Sequence, residues 1–453
     1  MDYPSKMKKA MMCLMSMVVA VFAIMMLGTV KESYAQGINY PVGSPGGTSG
    51  TGNGRVDPDN YFMRNNVAGL TEIPVTEEEE NTQERQESGK GGWRVLNEIQ
   101  ESVYLYRRDR IALADPNFGK SSRAVIINPG VAGELTYTSG NHRYGFGIGA
   151  YQMFGFQSKF EEDPKKFTAA RATFFDTRVA SNDVATGGAI RLTKQISVGA
   201  AFIFGRAFLD LKTPALQAFA FGLVRDSRLD VSDFGAPGVN VSVHIRPHSK
   251  IDIGLNYKSK RTYNLEGKFE TFELIGFQFA PNKRNAQVEF KLPTVAEAGI
   301  VLKPNKTIHL ALDYRFYDYT ATFGPPIVLM DKDTKQRLQT INIGGKDVRS
   351  YRIGLIINKS EKTKLSFGGA YTTNGFPEAA INPGLVNVGG ADASFSLAKK
   401  LGERWFSLGI AAIQGRERKV GPPANRLFGG KYIGGGVLFS LGIRTNKVPL
   451  LSK

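Results

Sequence analysis

Residues 308–317 read IHLALDYRFY, and this stretch decides the fold. Ile308, Leu310, Leu312, Tyr314 and Phe316 alternate with His309, Ala311, Asp313, Arg315 and Tyr317. Successive side chains of an extended chain point to opposite faces, so the segment is a strand with one apolar face and one face of polar and small groups. Residues 251–258 repeat the pattern: Ile251, Ile253, Leu255 and Tyr257 alternate with Asp252, Gly254, Asn256 and Lys258. The same two-faced alternation recurs at 144–150, 196–204, 351–357, 365–371, 406–412 and 433–443. Such strands suit a soluble sandwich, which buries the apolar faces against one another, and a membrane barrel, which turns them to lipid.

The connections between strands separate these readings. Short links fall at 139–142, 193–194, 247–250, 304–306, 358–362 and 399–403. Between them lie long links at roughly 157–165, 212–232, 267–285, 323–346, 375–388 and 417–430. A meandering outer-membrane barrel has short turns at its periplasmic end and long loops outside, and it has an even number of strands. With a first strand in 93–113, the alternation predicts an all-β, membrane-spanning antiparallel barrel of about fourteen strands.

The N-terminus agrees. Lys6, Lys8 and Lys9 precede an uncharged run from Ala10 to Val30, and Ser33-Tyr34-Ala35 offers small residues at the −3 and −1 positions of a cleavage site. Residues 1–35 are therefore read as a signal peptide, and Cys13, the only cysteine, leaves with them. No later apolar run approaches the ~20 residues of a spanning helix. Of the +17 formal charge, the leader holds four lysines against two acids, so +15 stays on the rest. That balance suits anionic lipid, including lipopolysaccharide, or carboxylated ligands rather than nucleic acid. Residues 36–58, with Gly43, Gly46, Gly47, Gly50, Gly52 and Gly54 among Ser, Thr, Pro and Asn, read as a flexible leader. Residues 59–73 suit a short helix capped by Asp59, and a charged linker runs on to 92. The barrel is expected over 93–446, with a tail at 447–453.

Several stretches resemble the FadL/TodX family of outer-membrane transporters of long-chain fatty acids and hydrocarbons. Asn66-Val67-Ala68-Gly69-Leu70 is similar to the Asn-Pro-Ala-Gly-Leu of that family's N-terminal plug, with Val67 where proline is usual. Residues 141–156 resemble its third strand, Leu292-Pro293 with 298–300 and 313–315 its central hairpin, and 369–372 with Pro377 and 382–384 a later strand and loop. The resemblance implies a barrel closed by an inserted N-terminal hatch, formed here by Asn66, Ala68, Gly69 and Leu70. It also implies capture of apolar substrate outside and sideways release at a kinked strand, where Gly145, Gly147 and Gly149 share one face. The chain departs from such barrels at its end, which runs through Thr445 to Lys453 without a terminal aromatic.

Two long links are unusually apolar for segments expected to face the medium. Leu216, Phe219, Phe221 and Leu223 lie in one, and Phe272, Leu274, Ile275, Phe277 and Phe279 in the other. Exposed apolar patches of that kind mark binding sites or pack on themselves. Arg206, at the outer end of an apolar strand, is the candidate for a substrate carboxylate, although its parity with Phe202 and Phe204 also lets it reach anionic head groups. His142, His244, His248 and His309 lack metal-ligand spacing, so neither metal nor cofactor nor catalysis is expected. The expected function is passive uptake of hydrophobic small molecules, most of all long-chain fatty acids, by a monomer inserted by the barrel-assembly machinery. The alternatives are a polar-solute porin and a plugged structural or adhesive barrel.

Overall fold

A computed structural model describes residues 60–73, 91–109, 121–160, 175–214, 226–275, 278–378, 389–420 and 430–445. The expected signal peptide, Gly-rich leader, C-terminal tail and the link carrying Leu216, Phe219, Phe221 and Leu223 lie outside these residues, as do Asp59 and Phe277.

Among the described residues, one antiparallel sheet holds every strand. It starts with β1 (Gly92–Asp109), β2 (Ser121–Thr138), β3 (Tyr144–Phe160), β4 (Phe175–Arg191) and β5 (Ile196–Pro214), each paired with the next. There follow β6 (Asp226–Phe234), β7 (Gly238–His248), β8 (Ile251–Lys258), β9 (Arg261–Ile275), β10 (Gln278–Leu292), β11 (Val295–Leu302) and β12 (Ile308–Tyr317). The remainder are β13 (Ile327–Asp331), β14 (Arg337–Ile341), β15 (Val348–Ser360), β16 (Thr363–Thr372), β17 (Gly390–Leu401), β18 (Arg404–Gly415), β19 (Arg418–Val420) and β20 (Gly430–Thr445).

Fourteen of them form a closed ring: β1 to β5, β7, β8, β11, β12, β15 to β18 and β20, which pairs back onto β1. The count matches the one read from the turns. Short turns such as 249–250 and 402–403 share one end of the ring with the start of β1 and the end of β20. On one side the wall continues past the ring, where β6 pairs with β9, β9 with β10 and β10 with β13.

Within the ring the apolar faces look outward, as the alternation predicts. On β12, Leu312 and Tyr314 are exposed, while His309, Asp313 and Arg315 are buried on the lumen side. Ring contacts gather the outward aromatics near each rim: Trp93, Tyr137, Tyr144 and Phe146 near the short turns, and Tyr314 against Tyr351 (5.4 Å) toward the other end. Two such girdles bounding an apolar band define the lipid-facing belt of an outer-membrane barrel. Two buried lumen cations share one carboxylate: Arg315 Nε lies 2.9 Å from Glu297 in an ion pair, and Lys258 Nζ stands 3.3 Å from the same group.

The sequence reading needs correction beyond this belt. Residues 269–275 and 278–279 are strand rather than loop, because β9 runs on to Ile275 and β10 starts at Gln278, paired with Leu274 opposite Phe279. The paired backbones satisfy each other's hydrogen bonds. The helix at the N-terminus is also shorter than read: α1 spans Phe62–Asn65, its N-cap is Tyr61, and no side chain of its own caps it.

Three neighbouring strands change parity at one level. β7, β8 and β11 point even, even and odd residues inward, whereas β6, β9 and β10, across interruptions at 235–237, 259–260 and 293–294, point odd, odd and even ones inward. At the first interruption Gly235 takes φ +108, a conformation that side-chain-bearing residues rarely adopt. Past the flips the polarity of the wall reverses. Outward faces now carry Arg228, Asp230, Glu266, Lys268 and Glu289, and inward faces carry Leu229, Val231, Leu265, Val288 and Phe290. Charged residues facing out cannot lie against hydrocarbon, so this part of the wall rises above the membrane.

Candidate functional site

The reversed wall encloses an apolar chamber filled by its own packed side chains. Leu229, Val231, Tyr263, Leu265, Val288, Phe290, Leu292 and Leu329 pack there with Tyr317, Tyr319, Phe323 and Phe376. The aromatic side is supplied by α2 (Tyr319–Phe323), a single turn whose N-cap Asp318 accepts from the Ala321 N–H at 2.9 Å. Tyr319 stacks on Phe376 with ring centroids 6.0 Å apart, and Phe323 meets Phe376 edge-on at 5.8 Å. Phe269 packs against this cluster from β9.

At the foot of the chamber, Arg261 reaches from the β8–β9 interruption to Asp183 on β4. Its Nη1 and Nη2 donate to Oδ1 and Oδ2 of the carboxylate at 2.8 and 2.5 Å, and Nη1 also donates to Tyr263 Oη at 3.0 Å. Both charges are buried, and the bidentate fork satisfies them together. A Cβ at Gly238 would stand 2.5 Å from Arg261 Cδ, so glycine there leaves the guanidinium stem its path.

Below this pair lies the segment 60–73, buried from end to end in the lumen. The wall caps its helix: the Phe62 and Met63 N–H groups donate to the two oxygens of Glu134 at 3.1 and 2.9 Å. Glu134 also accepts from Tyr151 Oη at 2.6 Å and is paired with Arg94. A short 3-10 helix, Val67–Glu72, follows α1. Asn66 Nδ2 donates to the Val243 carbonyl at 3.2 Å, and the Ala68 N–H to Ser242 Oγ at 2.8 Å. The Leu70 carbonyl accepts from Thr138 at 2.6 Å, while His142 Nδ1 stands 2.9 Å from the Thr71 carbonyl. At the far end Glu72 lies 3.3 Å from Arg246.

The four hatch candidates are thus brought together in the lumen, and two of the three strand glycines meet this segment. A Cβ at Gly145 would stand 2.8 Å from the Leu70 carbonyl oxygen, and one at Gly147 would stand 3.0 Å from Met63 Sδ. The third, Gly149, faces the Tyr151 hydroxyl. Beyond it the wall opens: β2 pairs with β3 only from Ala132↔Tyr151 to Thr138↔Gly145, and β3 shifts register against β4 between Gln152 and Phe154. Among the described residues, the outer part of β2 therefore has β1 as its partner and none on the β3 side.

Other sequence candidates sit elsewhere. Arg206 faces outward with Phe202 and Phe204, away from the chamber, and its cross-strand neighbours are Asn182 and Phe234. Phe272 is half-buried on the β9–β10 hairpin, whose backbone also carries Leu274, Ile275 and Phe279. Sequence reasoning missed the chamber, Glu134 and the Arg261–Asp183 pair. The signal for the chamber was present in the alternation of Tyr263, Leu265 and Phe269 with Asn264, Glu266 and Lys268.

Residues 94–380 match the family described as outer membrane protein transport protein (OMPP1/FadL/TodX). Among solved structures the chain is similar to a FadL homologue of Pseudomonas aeruginosa, with a TM-score of 0.70 and 15% identity, over 92% of this chain and 99% of that one. It is similar also to the toluene transporter TodX of P. putida, with a TM-score of 0.61 and 15% identity, over 88% and 96% of the two chains. The toluene transporter TbuX of Ralstonia pickettii gives a TM-score of 0.60 and 14% identity, over 91% and 99%. A search of curated proteins returned no match.

Proposed function

The chain belongs to the OMPP1/FadL/TodX family of outer membrane transport proteins, and on that premise we propose that it takes up hydrophobic small molecules passively, with long-chain fatty acids as its substrate class. The observation that carries this reading is the reversed wall, because an apolar interior held above the membrane is what a greasy solute needs on leaving water. Each methylene transferred into such a chamber gains ~0.8 kcal/mol, so an acyl chain is retained without a cofactor or a chemical step. A polar-solute pore would instead call for a water-filled lumen, where here the segment 60–73 is packed. The named relatives, a FadL homologue and two toluene transporters, support a hydrophobic cargo. Release is proposed through the seam between β2 and β3, where Gly145 and Gly147 let the hatch lie close to the wall.

Uptake of oleate and of an uncharged hydrocarbon of equal length by cells expressing the chain tests this reading. Leu265→Asp, which puts a carboxylate into the chamber, should reduce entry of both at least tenfold. Arg206→Ala, on the outward face, should leave the ratio of the two unchanged, consistent with contact to anionic head groups. A selective loss of oleate would restore Arg206 as the carboxylate partner. Undiminished uptake in Leu265→Asp would remove the chamber from the path.

A further inference from the structure

The wall has a second interruption, six ring positions from the β2–β3 seam and so nearly across the barrel. β13 pairs with β10 only at Ala286↔Asp331, Gln287↔Met330 and Val288↔Leu329. Below Val288, the chain opposite β10 is α2 followed by Gly324-Pro325-Pro326. A proline has no N–H to give to a strand partner, so this segment cannot complete the ladder.

A groove of about 370 Å³ occupies the interruption on the outward face. One flank is polar, with Asn264, Gln287, Glu289 and Lys291, and the other is apolar, with Pro325, Pro326, Ile327, Val328 and Met330. Phe323 lines the groove and is at the same time a member of the chamber cluster, its side chain 3% exposed. Phe323 is therefore shared between the outer groove and the apolar interior. Within the groove Lys291 is paired with Glu289 at 2.6 Å, which leaves Lys335, reaching Gln287 at 3.4 Å, as its net positive charge. The groove lies immediately beyond the outermost lipid-facing residues of β12, Tyr314 and Phe316, at the level of the membrane surface.

We propose that this groove is a side port for single-chain anionic amphiphiles held at the outer surface. The acyl chain lies along the Pro325–Met330 flank and passes into the chamber when Phe323 turns aside, while the acidic head stays at Lys335. The inference rests on the uptake reading above and adds an entrance to it. An amphiphile arriving from the surface would not have to cross water to reach the top of the chamber.

The test uses Val328→Cys in a Cys13→Ala background, labelled from outside the cell with a bulky maleimide, and follows uptake of oleate. Labelling in the groove should slow oleate entry at least fivefold, whereas the same label on Glu266→Cys, on the outward face of β9, should leave it unchanged. Lys335→Met should slow oleate about threefold and spare the uncharged hydrocarbon. Complete labelling at Val328→Cys with full oleate uptake would overturn the port and leave the chamber reading intact. Failure of the unlabelled parent to take up oleate would overturn both.

Discussion

At the scale of single residues, Glu134 carries more than its position suggests. Its carboxylate is the cap of a four-residue helix that has no cap of its own, the partner of the buried Arg94 and the acceptor of the Tyr151 hydroxyl. Breaking a buried ion pair by removing one partner costs about 3–5 kcal/mol, since the remaining charge is left uncompensated. Glu134→Gln should therefore lower stability by about 3 kcal/mol, whereas Tyr151→Phe, which removes one neutral donor, should cost about 1 kcal/mol. Denaturant titration of the detergent-solubilised barrel measures both, and equal small losses would show that Arg94 finds another partner. Glu134 lay beyond sequence reasoning because its role is set by what the wall encloses. Its own neighbours, Gly133 and Leu135, say only that it points into the lumen.

Among the elements, ring strands were legible and the wall above them was not. The alternation in β8 and β12 has one possible apolar face, and the lumen parity of His309, Asp313 and Arg315 follows from it directly. In β9 the same period is present, but the long-link reading placed its part from 267 onward outside any sheet, and the parity flip at 259–260 disguised the rest as a break in pattern. The hatch motif at 66–70 was legible through resemblance, whereas the pairing of β6 with β9 and β10 with β13 joins segments that no local signal connects. The hatch has its own consequence at this scale. Segment 60–73 fills the lumen beside Leu96, Ala132, Tyr151, Ala185 and Ile203, all wall residues held by strand pairing of their own. Deleting residues 60–73 should leave a barrel that inserts normally and conducts small ions in planar bilayers, with a conductance the parent lacks. A deletion variant as closed as the parent would show that the wall or the chamber cluster blocks the lumen by itself.

For the whole molecule, the polarity of the wall fixes its orientation. The reversed extension must stand in water, and the short turns with both ends of the ring lie at the opposite face. Cysteines placed at Ser249 or Asn305 should escape a membrane-impermeant thiol reagent on intact cells, and one at Glu273 should react; the opposite pattern would invert the molecule. The wall-borne cap of α1 carries an implication about chronology. The hatch precedes every strand in the chain, yet a four-residue helix cannot persist in isolation, and its first N–H groups find their acceptor only once β2 is in place. The segment synthesised before the wall is thus completed only with it, guest to a host that supplies its cap, and errors of assembly should accumulate as empty barrels rather than as loose hatches.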